Sequence, residues 1–272
     1  MDGGFFGREA EGLGFESAWF SEHVVAPVEV TRSVSPFFEN GQVPGFTDPL
    51  IGMARASAVT SSIKLGTSVI LVAEHQPIRL AKALATLDRS SGGRIVLGVG
   101  SGWLEEEAVL MGVDFEHRGT QVGEAVRALK ALWSGEAVEF HGRYYDFPPV
   151  RSLPRPAQRP GVPVYLGGVA PAVLKRVVAY GDGWAPEKVT PEDVRERRRE
   201  LDELAREAGR DPAGLPITVF GKPPEPELVG EYLAAGADRV VVGSGVAGPE
   251  AEVAEAMRQA AKDVLPLAQR DY

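Results

Sequence analysis

The chain of 272 residues contains no cysteine. That removes disulfides, thiolate metal sites and cysteine nucleophiles together, and it is consistent with a cytoplasmic protein. No apolar run is long enough to cross a bilayer, and no N-terminal stretch resembles a secretory leader, so neither membrane insertion nor export is expected. A positive excess is lacking too. The net charge of −9 argues against nucleic acid as the main partner. An anionic ligand must then be held by local backbone donors and a few cations, not by the overall field. No His/Asp/Glu spacing suggests a metal, and no G-x-S-x-G suggests a hydrolase.

What is present is organised around Ile63–Trp103, IKLGTSVILVAEHQPIRLAKALATLDRSSGGRIVLGVGSGW. Ile63–Leu71 is a short apolar run with branched residues, as a strand covered on both faces requires. Pro77 suits the first turn of a helix, and Leu80, Leu84 and Leu87 form its apolar stripe. Ser91-Gly92-Gly93 stops that helix, and Arg94–Gly100 is a second buried strand. Strand, crossover helix and strand make a parallel βαβ unit, whose ligand sites lie beyond the carboxyl ends of the strands. Ser68–Gln76 and Gly98–Trp103 therefore point at the chemistry.

Strands are expected near 16–21, 63–71, 94–100, 162–166, 182–185, 215–220 and 240–243, each followed by a helix or a helix-bearing loop. This alternation, at this length, predicts a single domain built as an α/β fold, a (β/α)8 TIM barrel. An insertion near 136–160 carries a hairpin, AVEFHGRYYDF. Val24–Thr47 is a long irregular loop, which in a compact domain is usually functional. Three carboxylates, Glu105 to Glu107, fall in the first turn of a short helix, where they suit its dipole. The RERRRE run of 195–200 reads as a solvated face, and His117 and His141 read as structural. The chain opens on a helical segment after Met1-Asp2-Gly3-Gly4, too short a lead for a barrel strand of about five or six residues. The first barrel strand is thus expected to be absent. Strands 16–21 and 240–243 would then face each other across a gap, because the gene start lies further upstream or because the barrel is split and closed by a partner chain.

GLGFESAWFSEH, DPLIGMARASAVTSSIKLGTSVILV, LAKALATLDRSSGGRIVLGVGSGWLEEE, the HRG-to-ALW helix, and VPVYLGG through YGDGW together resemble the luciferase-like monooxygenase family, and within it the F-420-dependent oxidoreductases. The resemblance covers nearly all of residues 8–186 and is only general beyond. It implies a TIM barrel that binds the deazaflavin coenzyme F-420, or alternatively FMN, at the C-terminal face, and a homodimer.

By that resemblance His23, in Ser21-Glu22-His23, lies near the reactive ring as a proton donor. Its plainer role is to order the long loop that follows, and Glu22 is expected to hydrogen-bond locally. Ser68 and Val69 correspond to a non-prolyl cis peptide that backs the ring, although ordinary buried strand would also account for them. Gly98, Gly100 and Gly102 would let a ring approach the backbone; barrel interiors also use glycine to fit their taper. Their spacing, GVGSGW, lacks the third glycine of a dinucleotide fingerprint. Trp103 walls the ring pocket or merely packs, and it stands where some F-420 dehydrogenases have a catalytic Glu, which speaks against their sugar-phosphate chemistry. Glu74 and His75 lie within reach of a substrate, but an exposed loop pair is the simpler reading. Gly167, Gly168 and Val169 precede a helix expected from Ala170. Backbone N–H groups there would take the cofactor phosphate, unless the segment is a plain βα turn.

With F-420 the implied reaction is hydride transfer to or from a small organic substrate. With FMN a separate flavin reductase would supply reduced flavin for oxygenation by O₂. A degenerate, non-catalytic flavin-binding barrel is the reading of a different class, motivated by the missing strand.

Overall fold

Branched and aromatic residues build seven short parallel strands that end on a common rim. They are β1 (Ser17–Phe20), β2 (Lys64–Thr67), β3 (Ile95–Val99), β6 (Val164–Gly167), β7 (Gly183–Ala185), β8 (Thr218–Lys222) and β9 (Arg239–Val242). The computed structural model describes residues 1–28, 45–243 and 248–267. Most of the long loop expected over 24–47 lies outside them.

Strands β1-β2-β3-β6-β7 pair in that order, all parallel. Strands β8 and β9 form a second parallel pair, joined to β7 by a bridge between Trp184 and Ile217. Among the described residues the one antiparallel ladder is the expected hairpin, β4 (Ala137–His141) with β5 (Asp146–Arg151). Outside the strands run α1 (Gly3–Leu13), α2 (Pro49–Ser57), α3 (Pro77–Ser91), α4 (Glu105–Leu110), α5 (Arg118–Trp133), α6 (Val173–Tyr180), α7 (Pro191–Glu207), α8 (Pro226–Ala234) and α9 (Glu250–Val264). Repeated parallel βα units in this order are the TIM-barrel architecture.

Local sequence explains where the helices begin and end. Pro77 opens α3, the Gln76 side chain accepts from the Arg79 amide, and Gly92 closes the helix in the left-handed region at φ 75°. Leu80, Leu84 and Leu87 are buried on its inner stripe. Thr190 and Asp193 form a reciprocal capping box at the start of α7. Its Arg197 and Arg198 pair with Glu200 and Asp202 along the same helix, as a solvated face should. Boundaries shift from expectation at several elements: the strand expected over 215–220 spans Thr218–Lys222, and two further shifts lie at the rim. The strand expected over 63–71 stops at Thr67; the chain then passes through a cis Ser68–Val69 peptide and rejoins β3 at a single bridge, Ile70 to Val99. The helix expected from Ala170 begins at Val173, so 168–172 form a longer open turn.

Two apolar layers hold the barrel. Leu65, Ile95, Leu97, Val164 and Leu166 face the surrounding helices in the larger core. Inside the barrel Trp19, Val96, Tyr165, Ala185 and Phe220 fill the interior, with Trp19 edge-on to Phe220 at 5.0 Å between centroids.

The ring of strands has a seam. Met1 and Asp2 lead directly into α1, whose N-cap is Asp2, and no described residue pairs as a strand between β9 and β1. A side-chain contact stands where a ladder would: Arg239 on β9 donates to both carboxylate oxygens of Glu16, just ahead of β1.

Candidate functional site

All seven barrel strands point the same way, so their C-terminal ends carry their following residues to one rim. Ser21-Glu22-His23 leave β1 there, Ser68-Val69 leave β2, Gly100–Trp103 leave β3 and Gly168-Val169 leave β6.

His23 is the best-defined side chain of that rim. Its Nδ1 lies 2.6 Å from Glu107 Oε2, on the first turn of α4. The other oxygen of Glu107 accepts the amides of Val24 at 2.5 Å and Val25 at 3.1 Å. With Oε1 of Glu107 taken by two backbone N–H groups, a hydrogen on Nδ1 of His23 completes the contact with Oε2, and no described residue partners Nε2. The ring stands edge-on to Trp103 at 5.5 Å and beside Phe46 at 5.1 Å. Trp103 and Phe46 are both exposed. An aromatic wall with an imidazole in it results.

A second pair repeats the arrangement. Glu22 Oε2 accepts the Leu71 amide at 2.7 Å, and Glu22 Oε1 lies 3.0 Å from His75 Nε2. Glu22 was expected to bond locally; its partners instead lie on the segment after β2. Glu74 also departs from the expectation of an exposed loop pair. It is only 9% exposed, in a short 3₁₀ turn at 72–74 whose Ala73 carbonyl accepts from Gln121 Nε2. Burial, followed by the charges of Glu107 and Glu22, pushes the Glu74 carboxyl up to about 8.

The glycines divide by what surrounds them. A Cβ on Gly98 would fall 2.1 Å from the Thr67 carbonyl oxygen, so this glycine serves close strand packing one layer below the rim. A Cβ on Gly100 would fall 2.3 Å from Val69 Cγ2, and one on Gly167 would lie 3.4 Å from Val69 Cγ1. These two make room for Val69, which the cis turn presents at the rim. Gly102 has a positive φ of 76° and neighbours Glu74 Oε1 and Leu71. Gly168, at φ 95°, has open space where a side chain would be, and Val169 beside it is exposed. His23, Ser68, Val69, Gly100, Gly102, Trp103, Glu74 and His75 thus gather on one arc of the rim, with Gly167, Gly168 and Val169 next along it.

Glu107 was missed as a site residue. It is only 1% exposed. Its signal was periodic: Leu104, Glu107 and Ala108 fall at i, i+3 and i+4, which puts the carboxylate on the buried face of α4.

The family profile described as luciferase-like monooxygenase matches residues 6–224. The chain belongs to this family. An uncharacterized protein of Mycobacterium tuberculosis is 36% identical to this luciferase-like chain over 245 residues, covering 87% of it and 84% of the relative. The F-420-dependent glucose-6-phosphate dehydrogenase of Kineococcus radiotolerans is 36% identical over 184 residues, covering 66% of this chain and half (50%) of that one. Among solved structures, monooxygenase RslO1 of Streptomyces bottropensis superposes with a TM-score of 0.77 at 23% identity, covering 96% of this chain and 91% of that one. The coenzyme F-420 dependent tetrahydromethanopterin reductase of Methanopyrus kandleri gives 0.72 at 19% identity, covering 96% and 93%. At those identities the structural likeness establishes the luciferase-like barrel. Among the described residues, no helix is long and apolar enough to cross a membrane, and no group of His, Cys, Asp or Glu is placed to hold a metal ion.

Proposed function

We propose that this luciferase-like chain is an oxidoreductase that exchanges a hydride between deazaflavin coenzyme F-420 and a small organic substrate. The observation that carries the reading is the aromatic wall of His23, Phe46 and Trp103, with His23 held through Nδ1 by Glu107 and Nε2 without a partner among the described residues. The relatives named as F-420-dependent dehydrogenases support the choice of cofactor. When bound, the deazaflavin supplies or accepts the hydride.

The chain's own residues would do the rest. Val69, seated against Gly100 and Gly167, backs a flat ring. The open turn at Gly168-Val169, ahead of α6, offers backbone donors to a phosphate. His23 holds or gives up the proton that accompanies a hydride, at Nε2, while Glu107 keeps the ring in one tautomer. Trp103 and Phe46 flank that imidazole. Trp103 in place of a catalytic Glu directs the reading to small organic molecules rather than sugar phosphates.

Titration of the full chain with F-420 and, separately, with FMN tests this by fluorescence quenching. Saturable binding of F-420 and not of FMN is expected. Binding of FMN alone would make the chain an FMN-dependent monooxygenase served by a flavin reductase, and binding of neither would make it a non-catalytic barrel.

A further inference from the structure

Three carboxylates and two imidazoles meet on this rim, and they do not balance. Glu107 is matched by His23 and Glu22 by His75. The third carboxylate, Glu74, has one oxygen, Oε2, that is buried and has no hydrogen-bond partner among the described residues. An ionised oxygen buried without a donor is costly. If both histidines are protonated, the two pairs are neutral, and an ionised Glu74 would add an uncompensated negative charge. With neutral histidines the three carboxylates would repel one another more strongly still.

Among the described residues, the groups around Glu74 are acidic or already engaged. From the segment after β1 come Glu22 and His23, from its own turn His75, and from α4 Glu107. Tyr145, after β4, is directed at the Ala73 carbonyl. Arg118 at the start of α5 spends its guanidinium on the carbonyls of Gly102 and Phe115. That guanidinium is thus engaged with backbone carbonyls.

We propose that Glu74 is the proton reserve of the site: its buried carboxyl, with Oε2 unpartnered among the described residues, sets the proton occupancy of the His23–Glu107 and His75–Glu22 pairs. It is a positioning residue, since its buried oxygen acts through the histidines and not by touching a ligand. Loss of its proton puts a negative charge beside both pairs and draws a proton onto the imidazoles. Charge arriving in the pocket is then absorbed as a proton shift within the cluster. This rests on reading the rim as a redox pocket, but its test needs no cofactor.

The full chain, free of cofactor, is titrated while the carboxylic-acid carbonyl stretch is followed by infrared difference spectroscopy and the imidazoles of His23 and His75 by NMR. Wild type should show a protonated-carboxyl band at neutral pH that vanishes as the pH passes about 8, with a second inflection in the histidine titrations at the same pH. Glu74→Gln should remove both the band and the inflection, and Glu74→Asp should restore them. If wild type has no titrating carboxyl band, or if Glu74→Gln leaves the histidine titrations unchanged, the proposal is wrong. Should Glu74→Gln fail to fold, the wild-type band and inflection, present or absent together, still decide. Failure to bind F-420 would overturn the functional reading and leave this result standing.

Discussion

Glu16 and Arg239 stand 223 residues apart in sequence and meet in a two-point ion pair, Nε to Oε2 at 2.7 Å and Nη2 to Oε1 at 2.8 Å. The same guanidinium donates to Thr218 Oγ1 at 3.0 Å and lies over the Trp19 ring at 5.7 Å. It ties both edges of the open ring to the barrel interior. Arg239→Leu removes all of these contacts, and we expect it to cost about 1–3 kcal/mol of stability. Urea denaturation measures this, and an unchanged midpoint would mean that the seam is held by other means.

The pair also sets a dependence on acid. Burial alone would raise the Glu16 carboxyl, but the hydrogen bonds and charges of Arg239 and Lys64 hold it down at about 2. A carboxyl depressed in the folded state stabilises the fold fully above its unfolded value of about 4.5. That stabilisation is lost as pH falls through about 2. Because Glu16 is half exposed, solvent screening limits the term to about 0.5–1 kcal/mol. Thermal unfolding of wild type and Glu16→Gln should differ at neutral pH and converge as the pH drops through that window. A difference that persists at the acid end would assign the effect to packing.

Two glycine substitutions should separate fold from site. Gly98→Ala drives a methyl into the Thr67 carbonyl, which is backbone and cannot step aside, so the expected loss is about 1–3 kcal/mol or more. Gly168→Asp meets open space and costs only the strain of a positive φ, about 1–2 kcal/mol. It adds a negative charge to the turn assigned to the phosphate, so affinity for F-420 should fall by an order of magnitude while the protein remains folded. Unaltered affinity would move the phosphate elsewhere.

For His23, the prediction concerns turnover. Replacing it with Gln keeps a side chain able to bond Glu107 but removes the titrating nitrogen. Turnover should drop about 10²–10⁴-fold, with cofactor affinity changed far less. Steady-state kinetics beside a binding titration make the comparison, and full activity of His23→Gln would strip the residue of its assigned role.

Sequence patterning was most informative where local rules act alone. The branched runs of 94–100 and 240–243, Pro77 with Gly92 around α3, and Thr190 with Asp193 at α7 each announced an element through backbone preference or capping, with no distant partner required. Among the described residues no ladder joins β9 to β1. The polar cluster was not legible in that way. Glu107 reads as a helix-dipole residue, and only a contact across 84 residues makes it the partner of His23. Glu74 reads as surface because charged loop residues usually are, yet in the fold it is buried. Gly98 and Gly100 look alike in the string, yet one accommodates a carbonyl and the other a valine.

Glu107 makes two attachments with one carboxyl group: Oε2 to the imidazole of His23, and Oε1 to the amides at the start of the following segment, Val24 and Val25. Orientation of the His23 ring and the path of the chain leaving β1 are therefore mechanically linked, as two lines are when tied to one cleat. A ligand that draws Val24 and Val25 aside must also tug on the histidine's anchor. The enzyme would then register how its pocket is filled through the tilt of a single imidazole, with no signal relayed across the barrel.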